Sequence, residues 1–92
     1  MTETTTERVL YRGRVQGVGF RFSVRRIATK HPVTGYVKNL PDGSVELVAQ
    51  GARQAINGLL AEVAQFFHGH ITDCARVPAE TAEAFTEFDI RF

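Results

Sequence analysis

With 92 residues and a formal net charge of +1, the chain has room for one domain and lacks the basic excess of a general nucleic-acid binder. Its single cysteine, Cys74, cannot close an internal disulfide, so a packed core must hold the fold; 43% apolar residues, with seven Phe among them, supply one. No stretch approaches the roughly 18 consecutive apolar residues of a membrane span, and the N-terminus has no apolar signal segment. A cytoplasmic, membrane-free monomer is the expectation.

Residues 1–6, Met-Thr-Glu-Thr-Thr-Thr, are polar and aperiodic and read as a disordered N-terminal tail ahead of a domain over residues 7–92. In residues 7–14, Val9 and Tyr11 alternate with Arg8, Arg12 and Arg14, the pattern of a strand. A glycine-containing loop follows. From Phe20 to about Lys30 the period becomes helical, with Phe20, Val24, Ile27 and Ala28 on one face, and Pro32 stops the run. Residues 35–40 and 44–50 read as two strands around Pro41-Asp42-Gly43, a turn signal that makes them a hairpin. Gly51 is expected to break the second of these.

Ile56, Leu59, Leu60, Val63, Phe66 and Phe67 then give residues 52–67 a helical period, strong enough to override the turn-like pair Asn57-Gly58. A short β-like stretch occupies residues 71–78 and ends at Pro78. In residues 84–92, Phe88, Ile90 and Phe92 alternate with Glu87, Asp89 and Arg91 as in a half-buried strand. The order strand, helix, strand, strand, helix, strand predicts an α+β fold: a ferredoxin-like split βαβ sandwich, an antiparallel sheet with two helices on one face. Many unrelated functions use such a sandwich.

The chemistry-bearing segment is Gly13-Arg14-Val15-Gln16-Gly17-Val18-Gly19-Phe20-Arg21, a loop leading into a helix. A helix N-terminus offers unpaired N–H groups and about half a positive charge. Glycines let successive N–H groups form a concave nest. Arg21, in the first helical turn, opposes the helix dipole unless an anion lies over the same terminus, and its planar fork suits two oxygens of one phosphate. On these residues alone an anion cradle and an ordinary turn both stay open. The P-loop pattern fails, because Val18 and Phe20 follow the glycines where Lys and Ser or Thr are needed. The dinucleotide fingerprint fails at Phe22, and the RNA-binding octamer fails at Gln16, Val18 and Ser23.

Residues 13–21, taken with Gly35-Tyr36-Val37-Lys38-Asn39, Gly43-Ser44-Val45 and Gly51, resemble the two signatures of the acylphosphatase family, in order and at the family's spacing. The resemblance covers most of the chain and implies the same split βαβ sandwich. It also implies hydrolysis of the carboxyl-phosphate bond of small-molecule acyl phosphates to carboxylate and inorganic phosphate, without metal or organic cofactor. Carried over by position, Val15, Gln16, Gly17, Val18, Gly19 and Phe20 form the phosphate-binding loop, and Arg21 and Asn39 are the catalytic residues. Lys30-His31-Pro32-Val33-Thr34 departs from the family's usual Leu-Gly-Leu-like turn and bears on the angle at which Asn39 is delivered; Phe92 ends the chain where Tyr is common. A noncatalytic anion- or protein-binding module of the same fold is the alternative.

Other polar residues are read more plainly. His68-Gly69-His70 lacks an evident third metal ligand, and Cys74 is expected as a small buried residue. Arg25, Arg26 and Lys30 read as a solvated helix face.

Overall fold

Five strands and two helices follow from these patterns in a computed structural model that describes residues 3–79 and 83–92, without the side chain of Pro78. The elements are β1 (Thr4–Gly13), α1 (Phe20–Ala28), β2 (Val33–Asn39), β3 (Val45–Ala52), α2 (Arg53–Phe66), β4 (Ile71–Pro78) and β5 (Phe88–Arg91). The sheet order is β4-β1-β3-β2-β5. Each helix therefore links two strands that run the same way with a third between them, and this is the split βαβ arrangement expected. Pairings among β1 to β4 are antiparallel, but β5 adds to β2 in parallel, so the sheet is mixed rather than wholly antiparallel. The physical reason is the route from β4: the chain crosses from one edge of the sheet to the other and reverses once, which brings β5 alongside β2 in the same direction.

Cross-strand register sets the core. Val9 faces Leu47, Leu47 faces Val37, and Val37 faces Ile90, which lines one sheet face with apolar side chains. Phe20, Val24, Ile27 and Ala28 of α1 and Ile56, Leu59 and Val63 of α2 are buried with them. Phe20 stacks at 5.2 Å from Tyr11 and 4.4 Å from Phe67, tying α1, β1 and the end of α2 together. On the opposite face Arg8 donates to Glu46 at 2.6 Å and Tyr36 donates to the same carboxylate at 2.9 Å, while Arg91 and Phe85 cover the Tyr36 ring. Burial and the Glu46 carboxylate push the Tyr36 hydroxyl up to about 12.

Several boundaries differ from the sequence reading. Thr4, Thr5 and Thr6 are not tail: they extend β1 opposite Ala52, Gly51 and Gln50. Threonine is β-branched and suits a strand, and a polar strand end shows no apolar alternation. Residues 1 and 2 lie outside the described residues. Gly51 does not break β3, which continues to Ala52; a Cβ there would come within 2.9 Å of the Pro32 carbonyl, so glycine is needed for close approach. The Asn57-Gly58 pair stays helical, and Gly58 makes room for the His31 ring, which a Cβ would meet at 3.2 Å. His31 in turn bonds Glu62 at 2.9 Å, and Lys30 donates to the other oxygen of the same carboxylate, clamping the α1–β2 connection to α2. Residues 71–78 form a full strand that pairs along β1. Cys74 is exposed there, because β4 is an edge strand.

One ion pair joins β4 to β1, and its arginine also reaches α2. Arg76 donates to both Glu7 oxygens, at 2.8 and 2.6 Å, with Glu7 itself buried, and also to Asn57. The Arg76 hydrogen bond holds the Glu7 carboxyl below the usual glutamate range. A lowered folded-state value stabilises above the unfolded value of about 4.3 and is lost as pH falls through the folded one. Glu7→Gln is therefore expected to lower the urea midpoint at neutral pH, and the gap to the wild type should close as pH falls below the ordinary glutamate range and through the lowered folded-state value. Urea titrations at neutral and acidic pH measure it; a gap independent of pH would exclude the pairing as its cause.

Candidate active site

Sheet direction assembles the candidate residues. β1 and β2 run the same way, so their C-terminal ends open at one end of the sheet. There the loop after Gly13 and the side chain of Asn39 meet. Asn39 closes β2 opposite Val45, on the sheet face that carries α1. β5 is parallel to β2 and delivers Arg91 and Phe92 to the same end.

The loop is fixed at three places. Arg14 N–H donates to the His70 carbonyl at 2.8 Å. The Gln16 amide donates to the Leu40 and Ser44 carbonyls, both at 2.9 Å, which joins the loop to the β2–β3 hairpin. Val15 and Phe20 are buried in the core. Between these anchors Gly17 and Gly19 adopt φ of 77° and 76°, left-handed values that favour glycine. The hairpin is itself braced: Asp42 accepts from the Ser44 N–H at 2.9 Å and from its hydroxyl at 2.5 Å, and these bonds hold the Asp42 carboxyl below its ordinary value.

Gly19 is the N-cap of α1. No side chain caps the helix, and its first turn has no acidic residue. The first N–H groups of the helix and its positive dipole end are thus left without a protein carboxylate. They border a recess of about 210 Å³ lined by Val15, Gly17, Gly19, Phe20, Arg21, Phe22 and Asn39. Asn39 lines it too, and its Oδ1 is buried without a hydrogen-bond partner among the described residues. Such an atom costs about 1–3 kcal/mol in desolvation.

Arg21 forms no ion pair among the described residues. Its Nη1 donates to the Arg91 carbonyl at 3.3 Å, and its guanidinium carbon lies 4.8 Å from the centre of the Phe92 ring. One long hydrogen bond leaves most of the five guanidinium N–H donors available. An arginine with no ion pair among the described residues, helical N–H groups and the Asn39 side chain therefore converge on one recess. Together they can grip a tetrahedral oxyanion while hydrogen-bonding a neutral molecule beside it.

All eight residues singled out in the sequence stand at or beside this recess, but in different ways. Arg21 and Asn39 present side chains. The buried Val15 and Phe20 side chains are core, so these positions offer only backbone. The Gln16 side chain is spent on the hairpin, and Val18 is exposed. Sequence reasoning missed Phe22 in the recess wall and the Arg91–Phe92 contact with Arg21. The signal for Phe22 was present: it is an aromatic residue off the apolar stripe of α1. Nothing in the pattern of residues 84–92 shows that β5 would run parallel to β2.

Gln16→Ala is expected to loosen the loop by removing two hydrogen bonds, at a cost of about 1–3 kcal/mol. Thermal unfolding measures it, and an unchanged Tm would show that the loop holds its shape without the clamp. A larger concavity, about 450 Å³ and lined by Tyr11, Leu60, Ala64, Ile71 and Cys74 among others, lies between α2 and β4. It is mainly apolar, and the convergent polar groups are in the smaller recess.

Comparison with known proteins gives the same reading. The acylphosphatase family model matches residues 7–90. An acylphosphatase from Caldivirga maquilingensis is 45% identical over 87 residues, 92% of each chain. One from a Synechococcus species is 36% identical over 91 residues, 99% of this chain and 97% of the relative. The crystal structure of acylphosphatase from Bacillus subtilis superposes with a TM-score of 0.84 at 33% identity, covering 98% of this chain and 100% of the other. Sequence and fold agree: the chain belongs to the acylphosphatase family.

Proposed function

We propose that this enzyme hydrolyses the carboxyl-phosphate bond of small acyl phosphates, with residues 15–20 as the phosphate-binding loop, Arg21 as the phosphoryl clamp and Asn39 as the residue that orients the attacking water. The observation that carries the assignment is the recess where Arg21, the first N–H groups of α1 and the Asn39 side chain converge.

An acyl phosphate is an activated anhydride, so its cleavage needs placement and charge compensation more than a strong nucleophile. Phosphoryl oxygens held by the helix N–H groups and Arg21 would leave phosphorus facing Asn39. The Asn39 side-chain amide can hydrogen-bond a water in the recess, which directs the water lone pair at phosphorus. A new O–P bond forms as the acyl O–P bond breaks, and the carboxylate leaves with the bonding electron pair. The water proton passes to a phosphoryl oxygen, so the products are carboxylate and inorganic phosphate. The N–H groups and the guanidinium are in place before reaction, and such preorganised donors are effective where charge develops.

Phosphate release from acetyl phosphate or benzoyl phosphate, assayed with a chelator present, tests this reading. Sustained turnover is expected. Activity lost to the chelator would reject a clamp made of protein groups alone, and no turnover of either compound would reject the function. A cytoplasmic monomer acting on small molecules, without nucleic acid, completes the proposal; the near-neutral charge of +1 supports the last point.

A further inference from the structure

Val18, Phe22, Phe66, Val77 and Phe92 are the large apolar side chains exposed among the described residues. Three of them gather at the active-site end: Val18 in the loop, Phe22 in the recess wall, and Phe92 against Arg21. Such clustering calls for a physical reason, since exposed apolar surface rimmed by polar groups marks binding surface more often than chance.

Phe22 has no role in the core. The buried stripe of α1 runs through Phe20, Val24, Ile27 and Ala28, and Phe22 projects from the other side, 64% exposed, next to Arg21. It makes none of the ring contacts that join Tyr11, Phe20 and Phe67. It does line the recess with Arg21 and Asn39. A phosphoryl group held at the helix N-terminus must extend its acyl group out of the recess, past this wall.

We propose that Phe22 is a specificity-determining residue that receives the acyl group, so that the enzyme favours acyl phosphates with aromatic or bulky apolar acyl groups over acetyl phosphate. The inference rests on the reading of the recess as an acyl phosphate site. Bound acyl surface that covers Phe22 leaves water together with it, and an aromatic acyl group gains ring contact as well. Acetyl offers one methyl group and gains little. The carboxyl-phosphate chemistry is the same for both substrates, so the preference resides in this contact.

The test is steady-state kinetics of wild type and Phe22→Ala with benzoyl phosphate and acetyl phosphate. The benzoyl-to-acetyl ratio of kcat/KM is expected to fall by about five- to tenfold in the variant. The fall should appear chiefly as a higher KM for benzoyl phosphate. Phe22→Trp or Phe22→Leu, which keep apolar surface at the position, should restore most of the ratio. A ratio within twofold of the wild type, with both substrates still turned over, overturns the inference and leaves the hydrolytic reading standing. Failure of the wild type on both substrates overturns that reading instead.

Discussion

Arg21→Ala should lower kcat/KM for acetyl phosphate by roughly 30- to 5,000-fold, equivalent to about 2–5 kcal/mol for leaving a desolvated phosphoryl group without its charged partner. Its stability should hardly move, for two opposing reasons. Removing a cation from the first turn of α1 relieves repulsion with the helix dipole, worth about 0.3–1 kcal/mol. Removing the guanidinium from the Phe92 ring loses a cation–π contact of about 0.5–1 kcal/mol. The long bond to the Arg91 carbonyl adds little. Unfolding curves and kinetics on the same preparation separate the two quantities. An Arg21→Ala enzyme within tenfold of wild-type kcat/KM would refute the clamp. Arg21→Lys keeps the charge but loses the fork, so it should recover only part of the rate.

The contrast between a weakly held Arg21 and the tightly held residues around it explains what could be read in the sequence. Local signals were legible wherever the period was clean: the buried stripe of α1, the Pro41-Asp42-Gly43 hairpin, and the apolar spacing of α2 that overrode Asn57-Gly58. Glycines were less legible, because the sequence does not show what lies opposite a missing Cβ. Gly51 reads as a breaker and is a point of close approach to Pro32; Gly58 reads as a turn and accommodates His31. Arg21 and Asn39 were reached through resemblance, and their meeting depends on a non-local fact, the shared direction of β1 and β2. The parallel docking of β5 is likewise non-local and was missed, and with it the contacts of Arg91 and Phe92 on Arg21. Cys74 was misplaced for a related reason: residue type favours burial, but an edge strand exposes it.

Asn39→Ala should divide activity from stability still more sharply. The wild-type Oδ1 is buried at the end of β2 with no hydrogen-bond partner among the described residues, a penalty of about 1–3 kcal/mol before substrate arrives. Alanine removes that atom, so the urea midpoint should hold or rise despite the smaller side chain. Activity should move the other way, with kcat falling by about 100- to 1,000-fold as for a lost preorganised polar contact in a transition state. Affinity for inorganic phosphate should change much less, because the helix N–H groups and Arg21 remain. Asn39→Asp sharpens the comparison: it is nearly isosteric and still accepts a hydrogen bond, but it sets a negative charge beside the phosphoryl oxygens and should weaken phosphate binding as well as turnover. If Asn39→Ala lost stability and activity in proportion, Asn39 would be a structural residue and the water would need another guide. If kcat falls while the midpoint holds, the unsatisfied carbonyl is a strain that the fold tolerates for the reaction, as buried polar atoms at active sites commonly are.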